Sequence, residues 1–265
     1  MSRLEATFRA LRARNERALV TFCMAGDPSL DLTERLVQEM DARGADVIEL
    51  GVPFSDPIGD GPVNQRAADR ALAAGTSVVR VLETVARIRT RVKAPIVLMG
   101  YYNPVHAFGL KAFARTAADA GVDGAIIVDL PPEEATELAA EADVVGLDLV
   151  YLVAPTSTPP RLRLIGRKSR GFIYLVSRMG VTGERASLPP DLGAQIRALR
   201  MVTTKPICVG FGIAKPEQVA EVGALADGVV VGSAIVRLIE ERGRAASLAE
   251  EVGAFVARLK APLRP

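Results

Sequence analysis

Short runs of β-branched and other apolar residues recur along the chain, and each is followed by a longer segment whose apolar positions have helical spacing. The runs lie about 30 residues apart, which is the length of one strand plus its crossover helix. Eight of them occur, beginning near Ala18, Asp46, Pro95, Gly124, Asp148, Gly171, Pro206 and Gly228. This pattern, with no linker rich in Pro, Gly or Ser, predicts the α/β class and a single (β/α)8 TIM barrel domain over residues 1–265.

An additional helix is expected before the first strand, because Leu4, Phe8 and Leu11 are spaced by four and three residues. We expect this N-terminal helix to close the floor of the barrel. The competing fold is an open doubly wound sheet, which usually has a G-x-G-x-x-G turn after its first strand. Here the first strand runs into Met24-Ala25-Gly26-Asp27-Pro28 instead, which favours the barrel.

The amino-acid composition disfavours several classes of function. Hydrophobic residues make up 49% of the 265 residues, enough for a large core, and the net charge is only +2. Because no run of five like charges occurs and Trp is absent, nucleic acid and anionic membranes are not favoured as partners. Cys23 and Cys208 are isolated in apolar runs, so a reducing, cytoplasmic location is expected. The N-terminus does not resemble a signal peptide, and no 18 apolar residues run unbroken.

In a barrel of this type the active site lies on the loops that follow the strands. The two longest intervals follow the second and sixth strands, which places extra residues at 51–61 and 178–192. Long loops rich in Gly, Pro, Ser and Thr on this face are expected to act as lids, although a tolerated surface insertion is the alternative.

The second strand carries an acidic residue, Glu49, in the run Asp46-Val47-Ile48-Glu49-Leu50-Gly51. With a period of two, Ile48 and Leu50 face the helices, so Glu49 is expected to point into the barrel. Loss of hydration there would raise its pKa towards the range useful for proton transfer at neutral pH. The alternative is a structural carboxylate paired with Lys or Arg.

Three further acids lie on the same face. Asp60 is placed between Gly59 and Gly61, so a flexible backbone could bring its carboxylate over a substrate. Asp56 precedes a proline and is interpreted as a turn or cap residue. Asp129 ends the fourth strand, where a cap or loop-fixing role competes with a catalytic one.

A phosphate site is predicted after the last two strands. The seventh ends in Gly210-Phe211-Gly212, and the eighth ends in Gly232-Ser233 at the start of a helix. Small residues there let backbone N–H groups and the helix dipole reach an anion, and barrels often bind phosphate at this position. Tight βα turns need glycine in any case, which is the alternative. Gly183 of the sixth loop could add a further backbone contact.

Several other chemistries are disfavoured by the residues. The single His106, with two isolated cysteines, does not provide a zinc site, while a magnesium site built from carboxylates is left open. There is no phosphate-binding G-x-x-x-x-G-K-[ST] motif and no strand lysine suited to an imine. What remains is proton transfer by carboxylates on a phosphorylated small molecule.

The run from Glu49 to Pro57, with Asp60-Gly61-Pro62 just after it, closely resembles the signature loop of the tryptophan synthase alpha subunit family. The resemblance covers nearly the whole chain, because the other strand ends match in order and at the family's spacing. These are TFCMAGDP, VLMGYYNPVHAFG, IIVDLPPEE, LVAPTSTPPRL, YLVSRMGVTG, CVGFGI and VVVGSAIV.

The resemblance implies retro-aldol cleavage of indole-3-glycerol phosphate to indole and D-glyceraldehyde 3-phosphate. Glu49 resembles the family's proton shuttle, and Asp60 resembles the carboxylate that holds the indole N–H and stabilises its developing positive charge. Tyr174 corresponds to the tyrosine beside the acid, although a tyrosine facing the core is the alternative reading.

The resemblance also implies the binding residues. Gly183, Gly212, Gly232 and Ser233 would hold the phosphate, and Thr182 would close the sixth loop over Asp60. Phe22, Tyr101 and Phe211 would line the indole pocket, although each could instead pack the barrel.

The family further implies a partner, the beta subunit, which holds pyridoxal phosphate and receives indole through a tunnel in a two-alpha, two-beta assembly. No cofactor and no metal are expected in this subunit. The contact would involve Asp56 and Pro57 of the second loop and Asn103, Pro104 and Phe108 of the third. Two other hypotheses remain open: another phosphosugar barrel enzyme such as a ketose isomerase, and a non-catalytic barrel that binds phosphorylated ligands.

Overall fold

The computed structural model describes residues 1–176, 188–210 and 212–265. Its parallel strands form one sheet, in the order β5-β4-β3-β2-β1-β9-β8-β7-β6. In chain order they are β1 Ala18–Met24, β2 Val47–Gly51, β3 Ile96–Gly100, β4 Gly124–Ile127, β5 Asp148–Leu149, β6 Leu152–Val153, β7 Ile173–Val176, β8 Ile207–Gly210 and β9 Gly228–Val231. All eight predicted runs therefore form strands.

The fifth predicted run is divided in two, and this division closes the barrel. β5 pairs with β4, and β6 pairs with β7, so the segment 148–153 joins the two ends of the sheet order. The ladder is interrupted where the N–H of Tyr151 donates to the hydroxyl of Ser169 at 3.3 Å. The fold is thus a TIM barrel whose fifth stave consists of two short strands.

Helices surround the sheet, and several of them begin at a side-chain cap or a proline. The Ser29 and Ser77 hydroxyls, for example, accept from the first turns of the helices that follow them. The helices are α1 Arg3–Ala13, α2 Leu30–Ala42, α3 Pro62–Ala73, α4 Val78–Ile88, α5 Tyr102–Phe108, α6 Leu110–Asp119, α7 Thr136–Val145, α8 Pro159–Lys168, α9 Leu192–Arg200, α10 Pro216–Gly223, α11 Ser233–Arg242 and α12 Leu248–Lys260, with a 3-10 turn at Ala261–Leu263.

The long interval after β2 contains a helix that the sequence reading did not anticipate. Residues 52–61 form the expected loop, but α3 then precedes α4, so two helices follow this strand. Of the predicted loop at 178–192, only residues 188–192 lie in the described part of the chain.

Alternate residues of each strand face two separate cores. Those that face the helices form a large outer cluster, and those that face inward form a smaller one with α1. Leu4, Phe8 and Leu11 of α1 belong to the inner cluster, so the N-terminal helix closes the barrel floor as predicted. None of the helices among the described residues combines the length and apolar character needed to cross a bilayer.

Candidate active site

Glu49 lies inside the barrel, as the strand periodicity predicts. Val47, two residues earlier and on the same face of β2, joins the inner cluster, while Ile48 and Leu50 join the outer one. Glu49 is 0% exposed, and neither carboxylate oxygen has a hydrogen-bond partner among the described residues. Burial alone raises the pKa of Glu49 to about 8, because the charged form loses its hydration with nothing to replace it. Glu49 therefore forms no ion pair with a Lys or Arg among the described residues, which was the structural alternative.

Tyr174 of β7 points into the same space. Burial raises its pKa well above the usual value, and the nearby acidic groups of Glu49, Cys208 and Asp60 raise it further. The phenol therefore keeps its proton at neutral pH and is a hydrogen-bond donor beside the acid. Its hydroxyl occupies the space that a side chain at Gly210 of the neighbouring strand β8 would need, so that position requires glycine.

Asp60 is held over the barrel mouth by two side chains. Its carboxylate accepts from the Tyr101 hydroxyl at 3.1 Å and from the Asn64 amide nitrogen at 3.4 Å. Burial raises the pKa of Asp60, and these two hydrogen bonds partly oppose the rise. Because its partners are neutral donors, the carboxylate can still attract a positive charge that develops on a ligand.

Tyr101 links the second and third loops. Its hydroxyl accepts from the N–H of Gly59 at 3.0 Å while donating to Asp60, and its ring lies 5.4 Å from that of Phe54. The family resemblance predicts that Tyr101 lines the indole pocket. In the structure it fixes the loop that carries Asp60 and is not among the residues that line the cavity described next.

A cavity opens between Glu49 and the loops after the last two strands. The residues that line it are Phe22, Glu49, Asn64, Met99, Tyr174, Gly212, Val230, Gly232 and Ser233. Five of the predicted site residues besides Glu49 thus meet at one place: Phe22, Tyr174, Gly212, Gly232 and Ser233. Asn64, Met99 and Val230 were not predicted; the strand alternation that found Glu49 would also have found Met99 and Val230.

Three of the four predicted phosphate residues, Gly212, Gly232 and Ser233, line this cavity. Gly232 directly precedes α11, whose first residue is the buried Ser233, and among the described residues no side chain caps this N-terminus. Gly212 has φ +84°, a conformation that favours glycine. Backbone N–H groups and the positive end of the α11 dipole are suited to an anion here. Thr182, Gly183 and Phe211 lie outside the described residues.

Of the predicted partner residues, Asp56 and Pro57 lie on the second loop, whereas Asn103, Pro104 and Phe108, predicted on the third loop, lie in helix α5. Asp56 and Asn103 are exposed, whereas Pro57, Pro104 and Phe108 are half-buried. Asp56 accepts from its neighbour Ser55 at 2.5 Å, in keeping with the predicted turn role.

Three further residues adjoin these positions. Asp129 accepts from the N–H of Tyr102 at 2.7 Å and so caps α5, which is the loop-fixing role considered for it. Ile58, which the sequence reading did not select, is 83% exposed beside Pro57. His106 is exposed on α5, and its ring lies 5.5 Å from that of Tyr102.

No group of three or more His, Cys, Asp or Glu side chains suited to a metal ion occurs in the part of the chain that the structure describes. Cys23 and Cys208 are both free and buried. The cavity combines Glu49, an acid whose pKa is raised, with a helix end suited to an anion, and a second carboxylate, Asp60, is held beside it by the cavity residue Asn64. This arrangement can move a proton on an apolar group that is anchored by its phosphate.

Comparison with known proteins gives a consistent result. The family model described as tryptophan synthase alpha chain matches residues 8–263. The tryptophan synthase alpha chain of Geobacter sulfurreducens is 53% identical over 260 residues, covering 98% of each chain. That of Halorhodospira halophila is 50% identical over 262 residues, covering 98% of this chain and 96% of the relative. The crystal structure of tryptophan synthase subunit alpha from Legionella pneumophila has a TM-score of 0.92 at 38% identity, covering 99% of this chain and 98% of the other.

Proposed function

The chain belongs to the tryptophan synthase alpha chain family of lyases, which cleave indole-3-glycerol phosphate in tryptophan biosynthesis, and we propose that Glu49, Asp60 and Tyr174 carry out this reaction. The products are indole and D-glyceraldehyde 3-phosphate. The observation that carries the assignment of residues is the fully buried Glu49, without a partner among the described residues, in a cavity that it shares with the anion-binding end of α11.

Glu49 acts first as an acid and then as a base. With its pKa raised to about 8, it is protonated at neutral pH and gives its proton to carbon 3 of the indole ring. The resulting carboxylate then takes the proton from the hydroxyl on the carbon attached to that ring. The carbon–carbon bond breaks, its electron pair returns to the indole ring, and an aldehyde forms. Glu49 ends the cycle in the protonated form in which it began.

Asp60 stabilises the intermediate between these two proton transfers. Protonation of carbon 3 places a positive charge on the indole nitrogen, and a carboxylate that accepts the ring N–H lowers the energy of that cation. Tyr101 and Asn64 hold Asp60 in place from two sides. Tyr174 keeps its proton and lines the same cavity. No hydrogen bond joins it to Glu49 in the free chain, and we infer that its hydroxyl donates to the Glu49 carboxylate after the first proton transfer.

The substrate is anchored at the opposite side of the cavity. Gly212, Gly232 and Ser233 present backbone N–H groups and a hydroxyl to the phosphate. Phe22 provides an apolar wall for the indole ring. For Thr182, Gly183 and Phe211 the proposal rests on the family resemblance alone: Thr182 closes the sixth loop, Gly183 adds a phosphate contact, and Phe211 lines the indole pocket.

The family implies a beta-subunit partner. We infer that the two kinds of subunit form a two-alpha, two-beta assembly, that the partner holds pyridoxal phosphate, and that this subunit holds no cofactor. The contact surface comprises Asp56, Pro57, Asn103, Pro104 and Phe108. We further infer that residues 1–265 act as one domain, since all the strands join one sheet, and that the protein works in the cytoplasm, in keeping with its two free thiols.

Replacing Glu49 by Gln tests the proposal. The amide keeps the shape of the protonated acid but cannot release a proton, so indole formation should fall about 100- to 10,000-fold. Indole is quantified after incubation with indole-3-glycerol phosphate, with and without the beta subunit. Glu83→Gln makes the same chemical change at an exposed position of α4 and should leave the rate unchanged. Near-normal turnover in Glu49→Gln with an intact fold would reject the proton-shuttle role.

A further inference from the structure

Asn64 is a buried polar residue that the reaction as described uses only through one end of its side chain. It is the third residue of α3, is 4% exposed, and lines the cavity together with Glu49 and Ser233. Its amide nitrogen donates to Asp60, but its carbonyl oxygen Oδ1 is fully buried and accepts no hydrogen bond from the described residues. A buried acceptor without a donor is unfavourable, so such a group needs an explanation.

The orientation of the amide follows from its neighbour. A carboxylate only accepts hydrogen bonds, so the NH2 group of Asn64 must face Asp60 and the oxygen must face away from it. This hydrogen bond to Asp60 therefore fixes the Asn64 side chain in an orientation that leaves Oδ1 without a donor among the described residues. Because Asn64 lines the cavity, a molecule bound there is the available source of a donor.

The proposed substrate has donors of the required kind. Between its indole ring and its phosphate lies a glycerol chain with two hydroxyl groups, and each hydroxyl can donate one hydrogen bond. Glu49 takes the proton of one of them, next to the ring. The phosphate is anchored at α11 and the ring N–H at Asp60, so the glycerol chain must cross the space that Asn64 borders.

We propose that Asn64 is a substrate-binding residue whose Oδ1 accepts a hydrogen bond from a hydroxyl of the glycerol chain while its Nδ2 holds Asp60. This inference rests on the proposed function. It assigns to one side chain two tasks, positioning the carboxylate that holds the ring and recognising the hydroxylated chain. Its consequence is selectivity, since a ligand with the same ring and phosphate but no hydroxyls leaves Oδ1 as unsatisfied as it is in the free protein.

The test compares two ligands in two proteins. Glu49→Gln binds the substrate without cleaving it, so dissociation constants can be measured directly by calorimetry in Glu49→Gln and in Glu49→Gln/Asn64→Leu. The ligands are indole-3-glycerol phosphate and indole-3-propanol phosphate, which keeps the ring and phosphate but lacks both hydroxyls. Leucine has the same number of side-chain heavy atoms as asparagine in the same branched arrangement, and it can neither accept nor donate.

We expect Asn64→Leu to weaken binding of the hydroxylated ligand about three- to tenfold more than binding of the propanol analogue, the effect of losing one neutral hydrogen bond. Loss of the Nδ2 hydrogen bond to Asp60 affects both ligands alike, because both carry the indole ring. Asp69→Asn, at an exposed position of the same helix, is the matched control and should change neither constant. Equal weakening of both ligands, or no weakening of either, would overturn the role of Oδ1. The ratio of the two constants does not depend on the folded fraction, and if the leucine variant does not fold, Asn64→Ala repeats the comparison.

The two hypotheses fail in different ways. If Glu49→Gln binds neither ligand and the unaltered protein releases no indole, the proposed function is wrong. If the unaltered protein releases indole and both ligands bind, but the leucine substitution does not discriminate between them, only the role of Asn64 is wrong.

Discussion

A carboxyl group without a partner controls what this site can do at neutral pH. Burial raises the pKa of Glu49 to about 8, and no cation among the described residues opposes the rise. The acid is therefore ready to give a proton before substrate arrives. Asp60 also has a raised pKa, but its two donors oppose that rise, so the two carboxyls are suited to opposite protonation states. Environment rather than residue type divides the roles.

The pH dependence of kcat/KM should reflect this division. We expect kcat/KM for indole-3-glycerol phosphate to fall as the pH rises through about 8, because Glu49 then loses the proton that it must donate. It should also fall on the acid side as Asp60 becomes protonated. A rate profile at constant ionic strength from pH 5 to 9.5 measures both limbs. A value of kcat/KM that keeps rising above pH 9 would contradict the protonated form of Glu49 as the starting state.

The same group should make folding stability depend on pH. In the folded protein the pKa of Glu49 is about 8, against an ordinary value of 4.5, so its stabilising protonation is complete below about pH 4.5 and is lost as the pH rises through 8. Glu49→Gln keeps a neutral side chain at every pH. The variant should match the unaltered protein near pH 5 and exceed it by about 3–5 kcal/mol at pH 8.5, measured by urea unfolding. A constant difference across this range would contradict the raised pKa.

At the level of elements, carboxylates at the lower ends of the strands hold neighbouring strands in register. Asp46 accepts from the N–H of Leu19, Asp123 from that of Ile96, and Asp227 from that of Ile207, each at 2.8 Å. In each case the acid directly precedes one strand and bonds to the strand before it. Carboxylates at the N-terminal ends of the strands thus stabilise the fold, whereas those near the C-terminal ends belong to the proposed active site.

The sequence predicted the strands better than the segments that connect them, because a strand shows its buried face by local alternation whereas a connection depends on tertiary packing. Alternation along a strand depends on which face is apolar, so Val47-Ile48-Glu49-Leu50 alone placed Glu49 inside. The role of Asn64 depends on how α3 is oriented over the barrel mouth, and that orientation arises from tertiary packing. The break in the fifth strand depends on a side chain, Ser169, that is distant along the chain and carries no strand signal.

The floor helix α1 should contribute stability without contributing to the reaction. Leu4 is fully buried, and its side chain occupies the space left by Gly124 and Gly171. Leu4→Ala should lower the free energy of unfolding by about 2–5 kcal/mol, while kcat per folded molecule stays unchanged because the site lies at the other end of the barrel. Arg9→Ala, exposed on the same helix, is the control and should change neither. A loss of kcat in Leu4→Ala would show that the two ends are coupled.

At the scale of the whole molecule, the second loop connects the active site with the surface at which we infer that the beta subunit binds. The second loop carries Asp60 on its inner side and Ile58, 83% exposed, on its outer side. Asp60 lies in the active site, whereas the side chain of Ile58, two residues earlier, faces solvent in this chain. A partner that covers Ile58 therefore touches the segment that positions Asp60, which provides a direct physical route from binding to catalysis.

Ile58→Asp tests whether this apolar side chain is part of the contact. Burying a charge there without a partner is unfavourable, so the dissociation constant for the beta subunit should rise about tenfold or more, measured by calorimetric titration. Met201→Asp is the matched control, because Met201 is 84% exposed at the end of α9, where the helix reaches the floor side of the barrel. The control should bind the partner normally. Equal affinity for Ile58→Asp would place the contact elsewhere, and equal weakening in both variants would point to a general effect of added charge.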